Sequence, residues 1–335
     1  MSTLILKALN KENPIWLMRQ AGRYLKEYKL VRKKQENFIN FCLNYKAAIK
    51  VTLQPIKRFN FDAAIIFSDI LIIPYGLGQE VNFKTNEGPI LGSYNLKEFK
   101  KINKEKFLSK VKNVYKALKY TRKKLNKKKS LIGFAGSPWT LIVYIVNKKS
   151  PKKNFRLNNI IKNNKEIKNL LKIIEKFIFI HIEQQIKSGA DTIQLFDSWA
   201  GLLNKKNLNK YCYQPNKRLV RKIKKKYPNI PIICFPRGIG KNIVSFSKIV
   251  KPDCVNIDSN MDPNFINQNI SSKIIIQGGM DPRYLLKDKK RLTKKILEYI
   301  KIFKNRPYIF NLGHGIDKKT KINNVEILVK TVRKI

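Results

Sequence analysis

Residues 170–196 read LLKIIEKFIFIHIEQQIKSGADTIQLF and contain one complete unit of the fold. Apolar side chains recur at three- and four-residue spacing from Leu170 to Ile186, the period of a helix that buries one face. Gly189 stands where such a helix takes its C-terminal cap. The chain then turns to Thr192–Phe196, a short apolar run with no helical period. Runs of this kind suit a parallel strand buried on both faces. Seven further runs resemble it: residues 15–18, 63–67, 131–135, 232–235, 254–257, 274–277 and 308–312. Eight strands alternating with helices predict an α/β protein, a single-domain (β/α)₈ TIM barrel over residues 1–335. The lysine-rich stretches near 100–128 and 148–170 read as helical and loop insertions over that barrel.

Composition limits the function. The formal net charge is +49, with 71 Lys and Arg against 22 Asp and Glu. A basic chain attracts phosphate. Here, however, lysine is spread over every polar segment, and aromatic residues are not interleaved as stacking platforms. Lys, Asn and Ile all have A- and T-rich codons, so compositional drift accounts for the charge. No specific nucleic-acid partner is expected. No run reaches the ~20 apolar residues of a membrane span, and the first ten residues lack the pattern of a secretory signal. Cys42, Cys212, Cys234 and Cys254 form no C-x-x-C pair and no cluster of metal-ligand spacing, as expected of free thiols in a reducing cytoplasm.

In such barrels the chemistry gathers at the C-terminal ends of the strands. Those ends carry Arg19 and Gln20, Ser68 and Asp69, "GSPWT", Asp197 and Ser198, Arg237 and Gly238, Asp258, Gly278 and Gly279, and "GHG" with His314 at its centre. Eight polar ends in a ring form a pocket. Arg19 and Arg23 flank Gln20, Ala21 and Gly22. Their forked donors suit carboxylate or phosphate, and Gly22 lets an anion approach main-chain N–H groups. Arg32 adds a third cation. The competing reading pairs Arg19 and Arg23 with Glu12 or Glu27. His181, in an apolar helical run, reads as a core histidine. No G-x-G-x-x-G or Walker loop is present, so no nucleotide cofactor is predicted.

Five stretches carry a resemblance: PIWLMRQAGRYLKEY (14–28), FDAAIIFSDIL (61–71), FAGSPWTLIVY (134–144), QLFDSWAG (194–201) and NLGHGI (311–316). In this order they resemble the signatures of the uroporphyrinogen decarboxylase family. The resemblance implies a homodimer without metal or organic cofactor that converts the four acetates of uroporphyrinogen to methyls, giving coproporphyrinogen and CO₂. It further implies that Arg19, Arg23 and Arg32 bind carboxylates, that Asp69 holds the pyrrole N–H groups, and that Tyr144, Ser198 and His314 complete the pocket. Arg19 is the usual candidate for proton donor by resemblance, with a carboxylate-held water as the other candidate. The sequence departs from the family at "YIVNKKSPKKN" (144–154), which lacks a glycine, at Arg237, where lysine is usual, at Ser259, where tryptophan is frequent, and at "DKKTKINN" (317–324). Zinc-dependent corrinoid-type methyltransferases share the fold, but neither histidine has a cysteine two residues on.

Overall fold

The computed structural model describes residues 2–84, 87–152 and 155–334; Lys153 and Asn154 of the glycine-free stretch lie outside them. Seven parallel strands form one curled sheet: β1 (Ala63–Ile65), β4 (Ser130–Gly136), β5 (Thr192–Asp197), β6 (Ile232–Pro236), β7 (Cys254–Ile257), β8 (Ile275–Gly278) and β9 (Tyr308–Ile309). Each pairs with the next in chain order. A small antiparallel hairpin, β2 (Val81–Lys84) and β3 (Gly88–Leu91), lies outside the sheet and is not legible as a strand pattern in the sequence.

The expected first strand, residues 15–18, makes only one bridge, Ile15 to Phe310. Its backbone donors are nevertheless satisfied. Ile15 N–H donates to the Asp62 carboxylate (2.9 Å), Leu17 N–H to Gln20 Oε1 (3.1 Å) and Met18 N–H to Asn311 Oδ1 (3.0 Å). Trp16 N–H donates to the Phe310 carbonyl (3.4 Å), and the Ile15 carbonyl accepts from Asp62 N–H (2.9 Å). Side chains replace the ladder on three of four donors. The segment therefore closes the barrel between β1 and β9 without being a regular strand.

Strand alternation separates two apolar layers. Ile132, Ile233, Cys254, Ile275 and Ile309 face inward with Trp16 and Met18. The helix Thr3–Leu9 plugs the floor with Leu4, Ile5 and Ala8, and Leu4 N–H donates to Ser130 Oγ (2.9 Å). Above them lies an amide layer. Trp16 Nε1 donates to Gln277 Oε1 (2.9 Å), and Gln277 Nε2 donates to Asn256 Oδ1 (2.6 Å) and Gln194 Oε1 (3.1 Å). The opposite strand faces bury Ile193, Leu195, Ile232, Val255 and Ile276 under the helices.

The helix Asn164–Lys187 runs as the periodicity predicts, and Gly189 after it takes φ +106°. His181 is buried within it, 3.0 Å from the Tyr115 hydroxyl, and burial pushes its imidazole down to about 3. The stretch near 100–128 departs from the expected insertion. Its helix Lys104–Lys124 buries Phe107, Val111, Val114, Tyr115 and Leu118 and packs on the helix Tyr45–Phe59, so it belongs to the ring. Abundant lysine on its outer face masks this role in the sequence.

Asp62 ties this closure together, accepting from Ile15 N–H and from Lys7 Nζ at 2.8 Å. Asp62→Ala leaves the buried N–H unpaired, a loss of about 1–3 kcal/mol. Asp62→Asn keeps an acceptor and should lose less. Urea unfolding checks the order; an unchanged midpoint in the alanine variant contradicts this account of closure.

Candidate active site

The C-terminal ends of the strands open into one mouth. Three phenylalanines form an apolar floor there: Phe134 meets Phe196 edge to face at 5.6 Å, and Phe196 meets Phe235 at 6.3 Å. Around it stand most of the predicted polar residues.

Arg19 follows the closing segment and takes φ +61°, a left-handed conformation that costs a non-glycine residue roughly 1 kcal/mol or more. This conformation turns its side chain into the mouth. The glycines of "GHG" make room for it. A Cβ on Gly315 would fall within the Arg19 side chain, and one on Gly313 would strike the Asp258–Ser259 backbone. The need for glycine there is close approach, beyond the accessibility expected for His314. Arg19 keeps much of its side chain in solvent, while the part that enters the cleft is desolvated enough to pull the guanidinium below its ordinary pKa; Asp69 opposes this, while Arg23 adds to it.

Asp69 is reached through an irregular extension of β1. Ile66 N–H donates to the Ile132 carbonyl and Phe67 N–H to Thr52 Oγ1 (2.9 Å). Asp69 Oδ1 then accepts Leu71 N–H at 2.9 Å, at the start of the helix Ile72–Gly76. The carboxylate lies deep in the cleft yet keeps some solvent access. Burial raises it from 3.8 to about 6, against the opposing effects of Leu71 N–H and Arg19. Tyr144, at the end of the helix Pro138–Asn147, lies close enough to Asp69 and Arg19 to feel both charges, and burial raises its hydroxyl pKa. Its ring meets Trp199 at 6.0 Å.

Ser198 and His314 line a cavity of about 460 Å³ with Arg237 and Ser259. Burial, then Arg19 and Arg237, push the His314 imidazole down to about 4, so it is neutral at pH 7. Arg23 is exposed; Arg32 is half-buried, and its Nη1 donates to the Gln35 carbonyl at 2.7 Å. Both face the Tyr28 hydroxyl, whose pKa burial raises to about 12. The Cys42 thiol feels Asp69 and Arg32 together, which places Arg32 on the Asp69 side of the mouth.

The competing pairing of the loop arginines is not observed. Glu27 is taken by Arg58 at 2.7 Å, and Glu12 meets Asn10. Among the described residues Arg19, Arg23, Arg32 and Arg237 have no carboxylate within ion-pair distance. The N–H groups of Ala21, Gly22 and Arg23 also lack an intramolecular partner among them. A Cβ on Gly22 would lie 2.7 Å from the Arg19 carbonyl, so glycine here permits the turn itself.

Three predicted ring members act as braces. Gln20 is fully buried and ties the loop to Leu17 N–H and the Ala63 carbonyl. Asp197, also buried, accepts from Thr140 Oγ1 (2.8 Å) and Asn216 Nδ2 (3.1 Å); Trp199 N–H donates to that same Thr140 oxygen. Asp258 accepts from Gly238 N–H (2.7 Å) and Asn260 N–H (3.0 Å). Sequence spacing reveals the strand end, not whether its side chain turns to the cleft or the backbone. The phenylalanine floor and the Thr140–Asn216 support were not predicted; the only sequence trace of the floor is alternation within β4–β6.

The model for uroporphyrinogen decarboxylase (URO-D) matches residues 2–335. The chain belongs to this family. It is 47% identical over 330 residues to the uroporphyrinogen decarboxylase of Rickettsia bellii, covering 98% of this chain and 96% of the relative. It is 44% identical to that of Rickettsia africae, covering 98% and 95%. Among solved structures, a methyltransferase from Methanosarcina mazei superposes with a TM-score of 0.81 over 100% of this chain and 99% of its own, at 15% identity. That likeness shows the barrel alone. Among the described residues no group of three or more His, Cys, Asp or Glu could hold a metal, and no helix is long and apolar enough to cross a membrane.

The raised Asp69 pKa has a consequence for the family's stability. The folded chain binds this proton more tightly than the unfolded one, so ionised Asp69 opposes folding. The penalty is absent below about pH 4, grows between 3.8 and about 6, and reaches roughly 3 kcal/mol above that. Asp69→Asn should therefore stabilise the free protein at pH 8 and lose the advantage by pH 4. Thermal melts of both proteins across this range check the sign; equal melting at pH 8 contradicts it.

Proposed function

We propose that Asp69 and Arg19 carry out in this chain the decarboxylation of uroporphyrinogen, on the route to porphyrin and haem. The observation that carries this assignment is the deep Asp69 carboxylate at the mouth of the barrel, beside arginines that have no carboxylate within ion-pair distance among the described residues. The substrate carries eight carboxylates around four pyrroles. Its rim matches Arg19, Arg23, Arg32 and the open N–H groups of Ala21–Arg23, while its pyrrole N–H groups match Asp69. Tyr144, Ser198 and His314 are further polar contacts. Neutral His314 can donate to a carboxylate without adding charge.

Pyrrole chemistry determines what these groups must do. A pyrrole acetate cannot lose CO₂ directly, because the electron pair left on the methylene has no acceptor. Protonation of the adjacent ring carbon makes a cationic ring that accepts the pair as the C–C bond to the carboxylate breaks. A proton then adds to the exocyclic carbon to form methyl, and the ring proton leaves. Each turn replaces one carboxylate by hydrogen at the cost of one proton, and four turns give coproporphyrinogen. Asp69 supplies the negative charge beside the cationic ring, where the phenylalanine floor keeps the dielectric low. Arg19 supplies the proton. Free arginine is too weak an acid for this; partial desolvation in the cleft moves the Arg19 pKa in the required direction, with much of the side chain still in solvent. One carboxylate at the ring centre allows the periphery to turn and present each acetate in sequence.

The chain acts as a cytoplasmic homodimer whose pockets face one another, with residues 1–335 as one domain. This part rests on membership of the family. A monomeric mass in solution at micromolar concentration would overturn it.

Turnover of uroporphyrinogen by the purified protein tests the assignment. Folded Asp69→Asn should lose at least about a hundredfold in kcat, since it keeps shape but removes the counter-charge. Asp69→Glu should also be slow through crowding. Near-normal kcat in Asp69→Asn would make this carboxylate structural only.

The arginines should separate. Arg23→Ala and Arg32→Ala each lose one carboxylate contact, raising KM with kcat little changed. Arg19→Ala should lower kcat as well. Equal defects confined to KM in all three variants remove Arg19 from the chemistry.

A further inference from the structure

The cavity beside Ser198 and His314 contains two arginines in very different states. Arg283 is exposed and bound to Asp281, with Nε 2.7 Å from the carboxylate. Arg237 is half-buried and, among the described residues, has neither a carboxylate within ion-pair distance nor a side-chain hydrogen bond. Nearby Asp258 makes no ion pair with it; its carboxylate oxygens accept Gly238 N–H and Asn260 N–H.

The backbone beneath Arg237 is held on both sides. Its N–H donates to the Asp197 carbonyl (3.2 Å), and its carbonyl accepts Gly201 N–H (2.9 Å). Asp258 fixes the next residue. Gly238 takes φ +80° and packs its Cα against Gly201. A long cation on a rigid base, half-buried and without a counter-ion, is available to an anion that enters the cavity. Such a base also limits the ordering cost when the anion binds. Arg237 extends from the end of β6, whereas the Arg19–Arg23 loop follows the closing segment between β9 and β1. The two cations approach His314 from separate elements, and both hold its imidazole neutral.

We propose that Arg237 is a substrate-specificity residue: it binds a rim carboxylate of the tetrapyrrole from the β6 wall while the Arg19–Arg23 loop holds the macrocycle from the β1 side. The inference rests on the family reading of the substrate. A cation on this wall meets a rim carboxylate chiefly through its charge, and the planar guanidinium can add a second parallel N–H donor. Two-sided anchoring also explains how a macrocycle can turn about Asp69 without leaving the mouth. As the rim rotates, each turn brings a different carboxylate to Arg237.

Steady-state kinetics on uroporphyrinogen with wild type, Arg237→Gln and Arg237→Lys tests this. Arg237→Gln should raise KM about tenfold with kcat within about twofold, a loss of ground-state and transition-state binding alike. Arg237→Lys, which keeps the charge, should recover most of that loss, and both variants should melt with wild type. Proton NMR adds a readout independent of activity, because the chain has only two histidines. In Arg237→Gln the His314 titration should move up from about 4, and that of His181 should stay in place. An unchanged KM, a lysine variant as poor as the glutamine one, or an unmoved His314 would overturn the proposal. Absence of wild-type turnover would instead overturn the family reading of the substrate and leave the His314 result standing.

Discussion

The closure of the barrel at residues 15–18 governs everything above it. Seven strands leave a gap between β1 and β9, and a gap in a sheet exposes unpaired backbone. The segment fills that gap, but Asp62, Gln20 and Asn311 satisfy three of its four donors. Side-chain pairing frees the segment from a regular ladder. At Arg19 it can then reverse into the left-handed region and turn a guanidinium into the mouth. A regular strand continuing through Arg19 would alternate its side chains between core and helix layer. Closure of the fold and placement of the Arg19 cation are thus the same feature.

The mouth is electrostatically unfinished in the free protein. Arginines approach from two sides without counter-ions, and one carboxylate is held well above its ordinary pKa. The ionised carboxylate is an unfavourable term in folding, sustained by the apolar layers beneath. Under the proposed function, the carboxylates of the substrate would satisfy the guanidinium groups, and its pyrrole N–H groups would satisfy Asp69.

The braces beneath the mouth show how polar strand ends divide their labour. Asp197, Asp258 and Gln20 have residue types as suitable for catalysis as Asp69. Each is consumed by backbone or neighbouring side-chain donors, and each fixes a loop that carries an exposed group: Ser198 and Trp199, Gly238 after Arg237, and the Arg19–Arg23 turn. The glycines work similarly. Gly313 and Gly315 are needed because Ser259 and Arg19 occupy the space a Cβ would take.

By itself, the sequence determined the βα alternation, the parallel sheet and the motifs at the strand ends, because these depend on the local period of apolar side chains and on contiguous residues. The ring of polar ends was legible for the same reason, as were the buried His181 and the cap at Gly189. Only the tertiary structure decided that residues 15–18 close the barrel without a ladder, since their partners Asp62 and Asn311 lie far away in sequence. It alone showed that the lysine-rich helix Lys104–Lys124 belongs to the ring, because exposed lysine says nothing about the face opposite. It also separated Asp69 from Asp197. Both end a strand and both are raised to about 6, but one opens to the cleft and the other is enclosed by Thr140 and Asn216. That distinction depends on which side chains from other strands arrive at the same point, a property of packing that no single segment contains.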